Sequence, residues 1–135
     1  MKVTLDTNIV ISGLISLDGP PARVLDMWVE GRISVCVSPA LVEETLSVIT
    51  RPKFKSLGTV DERQAIITGL FEHADIVLPS TIITVIENDD ADNRVLECAV
   101  SGGVDVIVSG DSHLLDLGTY EGISIVTPAE FLAGR

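Results

Sequence analysis

Basic residues are scarce in this chain: nine lysines and arginines stand against twenty aspartates and glutamates over 135 residues, a formal net charge of −11. Such a surface repels polyphosphates, so general adhesion to nucleic acid is excluded and any nucleic-acid substrate must be met at a local site. No lysine follows Lys55. Cysteine is nearly absent as well. Cys36 and Cys98 lack the C-x-x-C spacing of a metal ligand pair, and both read as buried free thiols. No apolar run approaches the ~20 residues of a membrane span. Met1-Lys2-Val3-Thr4-Leu5 runs into Asp6 without the apolar stretch or cleavage site of a signal peptide. The expectation is a cytoplasmic protein with no membrane contact. Repeats, low-complexity tracts and an interdomain linker are also lacking, so residues 1–135 are expected to form one domain, long enough to bury a core without covalent staples.

What the chain does have is apolar sequence, 46% of its residues, with a positive mean hydropathy. That excludes a disordered chain and suggests a surface for self-association. Short apolar runs alternate with helical periodicities. Residues 2–5 read as a strand ending at Asp6-Thr7-Asn8, followed by a helix to Ile15, and Pro20-Pro21 opens a second helix that Gly31 ends. Ile33–Val37 reads as a second buried strand, and Ser38-Pro39 as the cap and first residue of a helix with Val42, Thr45, Leu46 and Ile49 on its core-facing stripe. A helix is expected over 61–74, with Ile66, Ile67, Leu70 and Phe71 as its apolar set, then one or two short strands between Asp75 and Glu87, interrupted at Pro79-Ser80. The polar run Asn88–Asp92 precedes a helix with Val95, Leu96, Ala99 and Val100 on one face, closed by Gly102-Gly103. Strands over Val104–Val108 and Ile123–Val126 follow, the first leading through Ser109-Gly110-Asp111 to a short helical turn, the second to a helix opened by Thr127-Pro128. Strands alternating with helices imply an α/β fold with a parallel sheet covered on both faces.

In such a sheet ligands bind outside the carboxyl ends of the strands, where separate connections can deliver side chains to one cleft. Asp6 and Asp111 follow strands, Asp92 opens a helix on its core-facing stripe, and Glu44 borders the buried stripe of its helix. Gathered carboxylates repel unless a cation or protons neutralise them, and hard cations such as Mg²⁺ or Mn²⁺ take oxygen ligands. Each acid also has a local explanation. Asp6 and Asp92 suit helix N-termini, Asp111 suits a turn, and a mid-helix glutamate is ordinarily solvated. Glu43 competes with Glu44. Asp89 and Asp90 read as solvated loop charges, one of them available as an outer ligand, and His113 as a surface or capping residue. Four such acids together favour the cation site over four separate accidents. Arg51, Lys53, Lys55 and Arg63 form a local basic cluster that either steers a phosphate backbone or is a solvated helix end.

The ordered motifs resemble the PIN domain family, in particular its toxin–antitoxin branch. They are Val3-Thr4-Leu5-Asp6-Thr7-Asn8, Ser38-Pro39-Ala40-Leu41-Val42-Glu43-Glu44, Arg51-Pro52-Lys53-Phe54, Asp89-Asp90-Ala91-Asp92-Asn93 and Val106-Ile107-Val108-Ser109-Gly110-Asp111 with Leu114-Leu115. The resemblance implies a three-layer α/β/α sandwich and cleavage of RNA with Mg²⁺ or Mn²⁺ held by Asp6, Glu44, Asp92 and Asp111, with Asn8 and Ser109 in support. It further implies a homodimer and an antitoxin partner. A phosphorelay receiver is the leading competitor, but it needs an acidic pair after its first strand and a late lysine. A phosphatase with a nucleophilic aspartate would place a second acid where Asn8 stands. A non-catalytic binding scaffold of the same fold is the remaining alternative, opposed by the retention of all four acids.

Overall fold

The computed structural model describes residues 1–87 and 89–134; Asn88, in the polar run expected ahead of a helix, and Arg135 lie outside the described residues. Strand β1 (Lys2–Leu5) is followed by helices α1 (Thr7–Ile15) and α2 (Pro20–Val29), then by β2 (Ser34–Val37) and α3 (Pro39–Val48). A 3-10 turn (Pro52–Leu57) leads to α4 (Val60–Phe71) and the short β3 (Asp75–Ile76). The second half comprises α5 (Asp90–Gly102), β4 (Val106–Val108), α6 (Ser112–Leu117), β5 (Thr119–Tyr120), β6 (Ile123–Val126) and α7 (Pro128–Ala133).

The sheet runs in the order β3-β2-β1-β4-β6-β5 and is parallel except at its edge, where β5 pairs antiparallel with β6. Period-two alternation decides what each face receives. Val3, Leu5, Val106 and Val108 enter one core with Ile9, Val24, Trp28, Ile67 and Phe131, contributed by α1, α2, α4 and α7. Ile107, Ile123 and Ile125 enter the other, beneath Leu96 and Ala99 of α5 and Leu114 of α6. The α/β/α sandwich implied by the sequence is therefore the architecture observed. α1 and α2 cross closely at Gly13, where a Cβ would come within 2.5 Å of Leu25 Cδ1.

Helix starts are written locally. Ser38, Thr59 and Thr127 each accept a backbone N–H in the first turn, and Thr59 and Thr127 complete reciprocal capping boxes with Glu62 and Glu130. Gly103, at φ 60°, closes α5 in a left-handed conformation that costs glycine little. Cys36 and Cys98 are both buried and free, with Cys98 Sγ donating to the Cys36 carbonyl at 3.5 Å. Burial pushes both thiols up, Cys98 to about 11.

Two expectations change and one is met. Ile66, placed in the buried stripe of α4, is exposed, and Arg63 is buried in its stead. The Arg63 guanidinium donates to the carbonyls of Gly58, Thr59, Ile49 and Arg51, at 3.0, 3.3, 2.7 and 3.1 Å. Those acceptors belong to the end of α3, the turns after it and the start of α4, and a buried cation persists only when so satisfied. Arg63 therefore leaves the basic cluster. Of the one or two short strands expected between Asp75 and Glu87, one forms, Asp75–Ile76. β5 has no counterpart among the strands expected from the sequence. Its two-residue loop has Glu121 at φ 48° and Gly122 at φ 82°, the paired positive angles of a tight hairpin turn. No described helix is long and apolar enough to cross a membrane.

Candidate metal centre

β1 and β4 are neighbours, yet the chain leaves β1 toward β2 and leaves β4 toward β6, so a crevice opens at their carboxyl ends. Asp6 is the first residue beyond β1, and its backbone N–H donates to the Val108 carbonyl at 3.2 Å. Ser109 is the first residue beyond β4. Its hydroxyl donates to Asp6 Oδ2 and its oxygen accepts the Asp111 N–H at 2.9 Å. Asp6 Oδ1 accepts from Ile9 N at 2.9 Å, so this carboxylate also caps α1. Capping and a place in the crevice are one arrangement here, not alternatives. Burial pushes the Asp6 carboxyl above its ordinary range, against the lowering effect of its hydrogen bonds from Ser109, Ile9 and Gly110.

α5 brings a second carboxylate. Asp89 is its cap and accepts from Asp92 N at 3.1 Å, while Asp92 points inward with its side chain only 9% exposed. Asp92 Oδ2 is buried and accepts no hydrogen bond. Burial foremost, then the neighbouring Asp111 and Asp89 carboxylates, pushes Asp92 up to about 8. Opposite stands the turn after β4, where Asp111 Oδ1 accepts the His113 N–H at 2.8 Å. His113 Nδ1 is 3.3 Å from Asp89 Oδ2, 3.7 Å from Asp92 Oδ2 and 3.7 Å from Asp111 Oδ1. One ligand atom from each of Asp89, Asp92, Asp111 and His113 lies within 4.8 Å of the others.

Glu44 reaches the same region from α3. Its Oε2 accepts from Thr7 Oγ1 at 3.1 Å, and Thr7 in turn lies 3.3 Å from the Thr45 hydroxyl. Glu43 is exposed on the same helix. Asn8 sits exposed in the first turn of α1. The fold thus brings Asp92 and Asp111 together, ties Asp6 to Asp111 through Ser109, and ties Glu44 to the residue beside Asp6. The tight cluster itself contains two residues read from the sequence as peripheral. Asp89 is a cap and not a loop charge, and a signal for this existed, since a cap and the third helical residue lie side by side. His113 offered no such signal.

The donors suit a hard divalent cation. Three carboxylates face one small volume, and one buried oxygen has no hydrogen-bond donor; a cation satisfies both conditions at once.

A family profile described as PIN domain matches residues 2–113. An uncharacterized protein of Methanocaldococcus jannaschii is 31% identical over 141 residues, which is 98% of this chain and 90% of that protein. Among solved structures, VapBC2 from Rickettsia felis, bound to a DNA fragment from its promoter, matches with a TM-score of 0.65 at 12% identity, over 93% of this chain and 97% of that one. PAE2754 from Pyrobaculum aerophilum matches with a TM-score of 0.60 at 20% identity, over 100% of this chain and 91% of that one. At these identities the two structures share the fold with this chain.

Proposed function

This chain belongs to the PIN domain family, whose members are generally nucleases, and on that premise we propose that it is a Mg²⁺- or Mn²⁺-dependent endoribonuclease acting as the toxin of a toxin–antitoxin pair. The observation that carries the reading is Asp92, a carboxylate with a buried oxygen that accepts no hydrogen bond, gathered with Asp111 at the carboxyl ends of β1 and β4.

Asp6, Glu44, Asp92 and Asp111 hold the cation, directly or through water. When bound, a divalent cation makes water a stronger nucleophile at neutral pH and neutralises charge gathering on the phosphate oxygens. The chain's own contribution is placement. Ser109 and the first turn of α1 fix Asp6, Thr7 fixes Glu44, and the cap of α5 fixes Asp92. Exposed Arg51, Lys53 and Lys55 on the 3-10 turn supply a basic approach for the RNA backbone on an otherwise acidic protein. Among the described residues, apolar side chains at Ile76, Leu78, Ile82 and Val85 are 50–85% exposed, which supports a homodimer. The fold shared with VapBC2 supports a protein partner of the antitoxin kind.

The test titrates Mn²⁺ into wild type and Asp92→Asn by calorimetry and measures Mn²⁺-dependent RNA cleavage by both preparations. Binding and cleavage by wild type, both lost in Asp92→Asn, are expected. Equal cleavage by the two proteins would expose a contaminating nuclease and sink the reading, as would identical binding isotherms.

A further inference from the structure

The crevice holds more donors than the four acids of the proposed reading. Asp92 is the starting point, because its side chain is more than nine-tenths buried and its free Oδ2 is directed at His113 Nδ1, 3.7 Å away. Three carboxylates surround that nitrogen at 3.3–3.7 Å. A strong charge-assisted hydrogen bond is shorter, about 2.7–2.9 Å. Around a cation with bonds of about 2.1 Å, adjacent ligand atoms stand about 3 Å apart and opposite ones about 4.2 Å; the atoms here, 3.3–3.7 Å about Nδ1 and within 4.8 Å overall, are slightly wider than such a shell.

The imidazole is held by its neighbours and not by packing. His113 is 58% exposed at its side chain, yet its backbone is tied to Asp111 Oδ1 and its ring is drawn toward Asp89 Oδ2. Asp89 is placed by its own task as the cap of α5, where its Oδ1 accepts the Asp92 N–H and leaves Oδ2 to His113.

We propose that His113, through Nδ1, and Asp89 are ligands of the cation in this crevice, making a mixed nitrogen–oxygen site that prefers Mn²⁺ to Mg²⁺. The proposal rests on the divalent-cation reading above and goes beyond it by enlarging the ligand set and naming the metal preference. Its chemistry is that of ligand softness. Mg²⁺ keeps oxygen ligands and gives up its waters reluctantly, whereas Mn²⁺ accepts an imidazole nitrogen alongside carboxylates. Removing the imidazole should therefore weaken Mn²⁺ far more than Mg²⁺.

The experiment loads wild type, His113→Gln, His113→Asp and Asp89→Asn with Mn²⁺, measures affinity from the loss of the free-ion electron paramagnetic resonance signal, and records ¹⁴N modulation of the bound ion. Mg²⁺ affinity follows by competition. His113 is on the surface and Asn retains capping ability at position 89, so all variants should fold, which circular dichroism checks. Expected are ¹⁴N modulation in wild type that vanishes in His113→Gln, and a fall in Mn²⁺ affinity of about 10–100-fold, the range that loss of even an outer-shell partner produces. Mg²⁺ affinity should change less than Mn²⁺ affinity in His113→Gln and recover in His113→Asp, and Asp89→Asn should weaken both ions. If wild type binds Mn²⁺ without ¹⁴N modulation, or if His113→Gln binds it as tightly as wild type, the enlarged ligand set is wrong while the four-acid site stands. If wild type binds no Mn²⁺ at all, both readings fall.

Discussion

The Ser109 hydroxyl donates to Asp6 Oδ2 while its oxygen accepts the backbone N–H of Asp111, so one fully buried side chain joins the ends of β1 and β4. Residues 103 positions apart in sequence are thereby fixed against each other at the mouth of the crevice. Ser109→Ala strands a buried carboxylate oxygen and a backbone donor, each worth about 1–3 kcal/mol. A fall in the urea midpoint and weaker Mn²⁺ binding are expected, with Ser109→Thr, which keeps the hydroxyl, close to wild type. Equal losses in the two variants would show that the hydroxyl is not the reason.

Asp92 makes the metal-free protein sensitive to pH. Its carboxyl is raised from 3.8 to about 8. Between those values the folded protein holds a proton that the unfolded chain has released, so the contribution of this group to stability falls as pH rises through that window and levels off above it. Asp92→Asn should flatten this slope and raise the metal-free melting temperature at pH 8, while abolishing stabilisation by Mn²⁺. Melting curves from pH 5 to 9, with and without Mn²⁺, check both. A wild-type slope that persists in Asp92→Asn would assign the proton elsewhere.

The basic cluster divides into two functions. Arg63→Ala removes the guanidinium from four carbonyls of the α3–α4 connection, of which Arg51 and Thr59 keep a backbone N–H donor, and should cost about 3 kcal/mol. Charge removal at exposed Lys53 and Lys55 should leave stability within about 0.5 kcal/mol. It should weaken RNA binding and flatten its dependence on salt. Denaturation midpoints and binding isotherms at several ionic strengths separate the two effects. Unaltered binding after both lysine changes would remove this turn from the RNA path.

Two glycines in helices should respond with opposite sign. At Gly13 a methyl group meets Leu25 Cδ1 at 2.5 Å, Leu25 Cγ at 2.8 Å and the Pro21 carbonyl at 3.0 Å, so Gly13→Ala should destabilise by about 1–3 kcal/mol. At Gly69 a Cβ meets nothing within 4 Å, and Gly69→Ala should stabilise by roughly 0.5–1 kcal/mol through backbone entropy alone. Thermal denaturation of each single variant decides. Stabilisation by Gly13→Ala would contradict the close crossing of α1 and α2.

Two anchors invisible in the sequence position the segment leading to Asp89. Asn93 accepts from Ile86 N at 2.9 Å and donates to the Ile86 carbonyl at 2.7 Å, and Glu97 accepts from Ile83 N at 2.8 Å. Side chains of α5 thus take the place of the strand neighbour that the β-rich run after β3 lacks. A run so rich in branched apolar residues leaves room for a second strand after β3, but the backbones of Ile83 and Ile86 are satisfied by a helix instead.

The sequence by itself determined the helix caps, the alternation that gives the sheet two buried faces, and the placing of Asp6, Asp92 and Asp111 at strand ends or a helix start, because each depends on neighbours within a few positions. The tertiary structure alone decided that Arg63 turns inward, that Glu44 and not Glu43 meets Thr7, and that His113 enters a ring of carboxylates with Asp89, 24 positions away. Those outcomes depend on which unpaired groups two distant segments present to each other. No periodicity records that, since burial of a polar group is settled by the partner it finds across the fold.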